Sequence, residues 1–184
     1  MQGPNPAWIV LIGGDQDVQR ACLSGRLIRS NFLEPVIAFV SEDFPCELTE
    51  AVQRSFDSVM VASKQPKHFE SINIREEDGL LIQLLNMDGM FSSIVAIQPG
   101  ILVFQSFQEI LDHGKVILNR EGNWKIVQFL PDRSKYERVL QLLLSGMPFN
   151  TTFIQHAFAD FQREFKDIHE NTAVSWCDLA SYTG

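Results

Sequence analysis

Positive charge, cysteine and long apolar runs are all scarce in this sequence. Lys and Arg number 15 against 23 Asp and Glu, for a formal net charge of -8. A nucleic-acid footprint needs a basic patch, and an anionic membrane surface draws in clustered Lys and Arg. Neither partner is therefore expected. No apolar run approaches the ~20 residues of a membrane span. The opening Met1-Gln2-Gly3-Pro4-Asn5-Pro6 has no basic start and no signal core behind it, so no secretory leader is expected. The three cysteines, Cys22, Cys46 and Cys177, are odd in number and far apart. That pattern excludes a disulfide framework and points to reduced thiols in a cytoplasmic setting. The four histidines, His68, His113, His156 and His169, have no metal-ligand spacing with one another or with cysteine. Internal repeats and low-complexity stretches are absent.

What is present is an ordinary soluble composition, 45% hydrophobic and 21% charged over 184 residues. It suits one domain over residues 1–184 with a real core. Residues 1–6 read as a loose lead-in and residues 167–184 as a tail in which Trp176 packs. The organising stretch runs from Ala7 to Ile28. Ala7-Trp8-Ile9-Val10-Leu11-Ile12 is an apolar run suited to a strand buried on both faces. Gly13-Gly14 and Asp15 follow. Val18, Ala21, Cys22, Gly25 and Ile28 then recur at helical spacing. Strand, glycine turn and amphipathic helix open a βαβ unit. The helix N-terminus presents unpaired N–H groups, and Gly13 and Gly14 allow close backbone approach, so the turn suits a phosphate. The same two glycines also fit a plain tight turn, because the three-glycine dinucleotide fingerprint is missing.

Farther along, Val36-Ile37-Ala38-Phe39-Val40 predicts a second buried strand, with Pro35 at its start. Pro45 opens a helix whose apolar stripe is Leu48, Ala51, Val52 and Phe56. Residues 57–62 form a third strand, so the first third reads β-α-β-α-β, a parallel sheet. Lys64 to Asp78 reads as a polar loop, its run Glu76-Glu77-Asp78 solvated rather than metal-binding. Leu80, Leu84, Met87 and Phe91 recur as a helix. Ile94-Val95-Ala96-Ile97 is a fourth strand ending at the turn Gln98-Pro99-Gly100. Ile101-Leu102-Val103-Phe104 leads toward a short helix carrying Phe107, Ile110 and Leu111. Asp112-His113-Gly114 is a turn, and residues 115–118 and 124–129 make a hairpin. Lys115, Arg120 and Lys125 belong to its solvated edge. Pro131 and Asp132 start a helix with Tyr136, Val139, Leu140 and Leu143 on one face, ended by Gly146 and Pro148. Asn150 caps a last helix carrying Ile154, Ala157, Phe158, Phe161 and Phe165. Asn150-Thr151-Thr152 is a glycosylation sequon by letter only in a cytoplasmic chain.

Several of these stretches together resemble the glycogenin-like glycosyltransferases of family 8. The resemblance is carried by Ala7-Trp8-Ile9-Val10-Leu11 with Asp15, Ala21, Leu23, Gly25 and Leu27. It continues through Ala38-Phe39-Val40, Leu48, Phe56-Asp57 and Val59, then through Ile101-Leu102-Val103-Phe104 with Phe107 and Ile110-Leu111. Asn123, Ile126, Val127, Phe129 and Pro131 complete it. It spans about Ala7 to Phe165. The resemblance implies an α/β fold of the GT-A type, a Rossmann-like three-layer arrangement with a mostly parallel central sheet. It also implies a UDP-sugar donor and a manganese ion held on the diphosphate by an Asp-x-Asp pair, since a hard divalent cation takes oxygen ligands. The positions that would meet the nucleotide are Leu11, Ile12, Gly13, Gly14, Asp17 and Asn123.

The chain departs from that family where the chemistry lies. The metal-motif position reads Gln98-Pro99-Gly100, with Gln98 and Gly100 in place of the two acids. The family's later Asp-Gln pair falls at about Thr151-Thr152, and Asp17 stands where an aromatic would stack on the base. Its His-and-Lys segment has no counterpart among these residues. The expectation is therefore a shortened, degenerate relative with no catalytic residue and no bound cofactor. It would act by binding, as a homo-oligomer or beside an active glycosyltransferase relative. Two alternatives stand. One is an active UDP-sugar transferase with an atypical or metal-free site, which calls for a basic residue facing Gly13. The other is a Rossmann-like module binding a different phosphate ligand at Gly13-Gly14.

Overall fold

The computed structural model describes residues 5–63, 74–104, 116–118, 123–158 and 176–179. The expected β-α-β-α-β opening is there: β1 (Ala7–Ile12), α1 (Val18–Asn31), β2 (Val36–Val40), α2 (Cys46–Ser55) and β3 (Ser58–Val61). Then come α3 (Glu76–Leu85), β4 (Ile94–Ile97), β5 (Ile101–Val103), β6 (Val116–Leu118) and β7 (Trp124–Phe129). The remaining elements are α4 (Arg133–Leu144), α5 (Thr151–Phe158) and β8 (Trp176–Asp178).

Six strands form the main sheet in the order β3-β2-β1-β4-β7-β6. The pairs β3–β2, β2–β1 and β1–β4 are parallel, while β7 runs antiparallel to both β4 and β6. The central sheet is thus mostly parallel and covered on both faces, as parallel sheets require. Along β1 the side chains alternate between two cores. Ala7, Ile9 and Leu11 join Leu80, Leu81 and Leu84 of α3, Val139 and Leu143 of α4, and Phe153 and Phe158 of α5. Trp8, Val10 and Ile12 join Val18, Ala21, Cys22 and Ile28 of α1, with Val52 and Phe56. The Phe56 ring, at the end of α2, packs directly on α1 because residue 25 is Gly. A Cβ there would stand 2.5 Å from the Phe56 ring.

Local signals explain most boundaries. Asp132 caps α4, its Oδ1 accepting the Ser134 N–H at 2.8 Å and the Lys135 N–H at 3.3 Å. Gly146, at φ +85, turns the chain after it. Asn150 caps α5 by accepting the Phe153 N–H at 2.9 Å. Three readings need correction. Glu76-Glu77-Asp78 is not a loop but the first turn of α3, where acids oppose the positive end of the dipole. That helix stops at Leu85, with Asn86 as its C-cap, well before Phe91. Ala51 is exposed rather than part of the α2 stripe, whose buried residues are Val52 and Ser55. The tail contributes β8, paired antiparallel with β5. The readings on residues 105–115, 119–122 and 159–175 lie outside the described residues.

Candidate functional site at the carboxyl edge of the sheet

In open α/β sheets, ligands bind beyond the carboxyl ends of the strands, where the strand order reverses. Here β1 lies between β2 and β4, and Gly13, Ser41 and Gln98 follow those three strands. Because β7 is antiparallel to β4, Asn123 at its start lies at the same edge. The fold thus brings together Gly13, Gly14, Asp17, Asn123, Gln98 and Gly100. Leu11 and Ile12 do not join them. Both side chains are wholly buried, one in each core, so only their backbones face the edge.

The Gly13 turn is covered by an acid. A Cβ placed on Gly13 would lie 3.4 Å from Glu76 Cβ and 3.5 Å from Glu76 Cδ, so the Glu76 side chain lies along the glycine. The Ser41 hydroxyl donates to the Gly13 carbonyl at 3.4 Å and also meets the Glu76 carboxyl. Burial pushes the Glu76 carboxyl above its ordinary range. Ser41 opposes that shift, while Glu77, Asp43 and Asp17 add to it. Asp17 is raised in the same sense, first by burial and then by Glu77 and Asp15, against Arg20. Asp15 and Asp17 occupy the 3-10 turn that leads into α1. Its N-terminal dipole therefore meets the chain's own carboxylates.

The Gln98-Pro99-Gly100 turn is tied down by the rest of the fold. Gly100 has φ +88, which favours glycine. Its N–H donates to the buried Ser24 hydroxyl of α1 at 3.1 Å, and its carbonyl accepts the Leu179 N–H at 3.0 Å. The stem of Arg20 packs beside it, with Cδ 3.5 Å from a Cβ built at Gly100. Gln98 is buried, and its N–H donates to the Lys125 carbonyl at 3.0 Å. Among the described residues no three Asp, Glu, His or Cys side chains converge to hold a metal ion. A manganese ion does not fit this turn, because Gln98-Pro99-Gly100 offers no anionic ligand and the Gly100 carbonyl already accepts the Leu179 N–H.

Beside it sits a network absent from the sequence reading, with Asp78 and Trp124 buried and Arg75 half exposed. Trp124 Nε1–H donates to Asp78 Oδ1 at 2.8 Å, and Arg75 grips the same carboxylate through Nε at 2.9 Å and Nη2 at 3.0 Å. Leu118 pairs with Trp124 while Ile117 pairs with Ile126, so Lys125 is the extra residue of a bulge. Bulges re-aim side chains at sheet ends, and here the Trp124 indole joins the core on the α3 side. The signals for Glu76 and Asp78 were readable: acids directly before an apolar helical run mark a first turn. Nothing in the sequence marks the pairing of Ser24 with Gly100.

No family model matches the sequence, and comparison with curated proteins finds no match. Solved structures do match in shape. An active-site mutant of LgtC is 11% identical with a TM-score of 0.57, covering 82% of this chain and 69% of that one. The apo-form glycosyltransferase GlyE of Streptococcus pneumoniae TIGR4 is 9% identical at TM-score 0.57, over 86% of this chain but only 45% of its own. A transferase mutant is 10% identical at TM-score 0.50, over 97% of this chain and 94% of that one. At these identities the likeness speaks to fold alone, and with the sheet order above it gives the conclusion: this chain has the α/β fold of the GT-A glycosyltransferases.

Proposed function

We propose that this chain is a degenerate relative of the family 8 glycosyltransferases that has lost metal-dependent sugar transfer and works by binding, as a scaffold. The carrying observation is the state of the Gln98-Pro99-Gly100 turn. It supplies no carboxylate, its Gly100 N–H and carbonyl are committed to Ser24 and Leu179, and its Gln98 N–H to Lys125. Transfer from a sugar diphosphate develops negative charge on the leaving group, and a bridging cation stabilises it by several kcal/mol. Each ~1.36 kcal/mol withheld slows the reaction about tenfold. The metal-free alternative calls for a base facing Gly13, but the side chain lying there is Glu76. A second copy of the chain or an active glycosyltransferase is the proposed partner.

The test is incubation with UDP-sugars and manganese, reading UDP release. The expected result is release at the level of the no-protein blank. Turnover that disappears with chelator overturns the proposal. A melting screen over nucleotides separates the module that binds some other phosphate, because a ligand of the native state raises its melting temperature.

A further inference from the structure

At the amino edge of the sheet, opposite the site described above, the connections before β1, β2 and β4 and the one after β7 meet, and the sheet order makes them neighbours. Backbone hydrogen bonds lace them together. Trp8 N–H donates to the Pro35 carbonyl at 2.9 Å, Ala7 N–H to the Ser93 carbonyl at 3.0 Å, and Ser92 N–H to the Asn5 carbonyl at 3.2 Å. Three large apolar side chains stand out from this edge. Leu33, just before Pro35, is 102% exposed; Met90, just before Ser92, is 54% exposed; Leu130, directly after β7, is 52% exposed. Strands lie ~4.8 Å apart, so the stretch from β2 to β7 is about 15 Å across. We propose that the amino edge is a dimer interface and that its occupant is a second copy of this chain, related by a two-fold axis near β1.

Charge selects this edge for a like partner. At the carboxyl edge Asp15, Asp17, Asp43, Glu76 and Glu77 already act on one another. Two copies of a chain with net charge -8 meeting there would set like charges together. The amino edge instead holds both signs. Arg29 Nε pairs with Asp57 Oδ1 at 2.9 Å, Asp57 Oδ2 accepts the Val36 N–H at 2.8 Å, and Asp88 is exposed before β4. A surface with both signs around an apolar centre can complement its own copy across a two-fold axis. Its size suits the role. Six strands with a layer of helix on each face make an edge roughly 25 Å by 30 Å, close to the ~800 Å² per partner of a standard interface. The same net charge disfavours an anionic membrane as the occupant.

This dimer deepens the proposed function, resting on it only in taking a second copy as the partner, and its test reads mass rather than turnover. Sedimentation equilibrium of the parent chain at tens of micromolar is expected to give twice the 20.9 kDa of one chain. Leu33→Asp puts a charge at the centre of the edge on a side chain with no burial to lose. It is expected to raise the dimer dissociation constant at least about tenfold, since a central apolar anchor carries an effect of this order. Met90→Asp should act in the same direction. Leu23→Asp adds the same charge to a side chain 51% exposed in the middle of α1, away from the edge, and is expected to leave the dimer as it is. Circular dichroism checks that each variant is folded. A monomeric parent overturns the interface, and so does a dimer that Leu33→Asp leaves intact. Equal weakening by Leu23→Asp does the same, because net charge would then be the cause. A monomeric parent that binds phosphatidylcholine vesicles through Leu33 overturns the second copy in favour of a lipid surface. Metal-dependent UDP release by a dimeric parent would instead overturn the proposed function and leave the interface standing.

Discussion

Along β1 the six residues from Ala7 to Ile12 are buried, and each side chain packs with one of two apolar cores. One residue later the chemistry reverses. From Gly13 to Asp17 the chain meets Glu76, Ser41, Glu77 and Arg20, and these groups pair with or repel one another. The interior needs only apolar volume at a two-residue period. The edge is made by residues 28 to 79 positions apart: Gly13 with Ser41, Ser24 with Gly100, Gly100 with Leu179. The strand interior therefore holds the fold, while the edge has turned its polar groups inward upon the chain itself. A site kept open for a diphosphate would leave some backbone N–H groups without internal partners.

Leu11 provides the sharpest break in that comparison. The family resemblance places it among the nucleotide contacts, whereas the structure buries it completely between α3, α4 and α5. Leu11→Ala should then act as a core truncation, destabilising the fold by about 2–5 kcal/mol. Urea unfolding followed by tryptophan fluorescence measures it. A loss below about 1 kcal/mol would mean that Leu11 belongs to the edge and not to the interior.

Ser24 tests the other side. Its hydroxyl donates to the Arg20 carbonyl at 3.1 Å and accepts the Gly100 N–H at 3.1 Å, all in the buried joint between α1 and the turn. Ser24→Ala strands the Gly100 N–H and should cost about 1–3 kcal/mol. Ser24→Thr, which keeps the hydroxyl, should recover part of that in the same unfolding assay if the extra methyl is accommodated. If Ser24→Ala is neutral, the turn is not tied as described and the case against a ligand there weakens.

These two residues also show where sequence reading succeeds. The apolar runs at Ala7–Ile12, Val36–Val40 and Ile94–Ile97 were legible because burial on both faces leaves no other composition. The caps at Asp132 and Asn150 were legible because each acts within three residues of itself. Glu76-Glu77-Asp78 misled for the opposite reason: the run splits. Asp78 is buried on Trp124, 46 residues away, and Glu76 covers Gly13, while neither partner is near in sequence. The sequence did not show that Leu11 sends its side chain into the core and leaves only its backbone toward the edge, because a strand's last residues share a position along the chain with the site.

The smallest expected effect concerns pH, and it separates the edge from the apolar interior because Glu76 and Asp17 lie at that edge. Glu76 and Asp17 have raised carboxyl pKa values in the folded chain, each chiefly through burial and then through the acids around it. In the unfolded chain such groups titrate near about 4. Between that value and the raised ones, the folded state binds more protons than the unfolded state. Stability therefore rises as pH falls through this window, and the gain is complete below the unfolded value. Asp132 works in reverse. Ser134 and the backbone N–H groups hold its carboxyl low, so its contribution is lost only as pH falls below the ordinary range. The melting temperature should accordingly climb modestly on going from neutral to mildly acidic pH, then drop in stronger acid. Asp17→Asn combined with Glu76→Gln should raise stability at neutral pH and flatten the climb, while leaving the acid-side drop. A melting temperature that falls steadily from neutral pH, unchanged by the double substitution, would mean that these carboxylates do not repel one another at the edge.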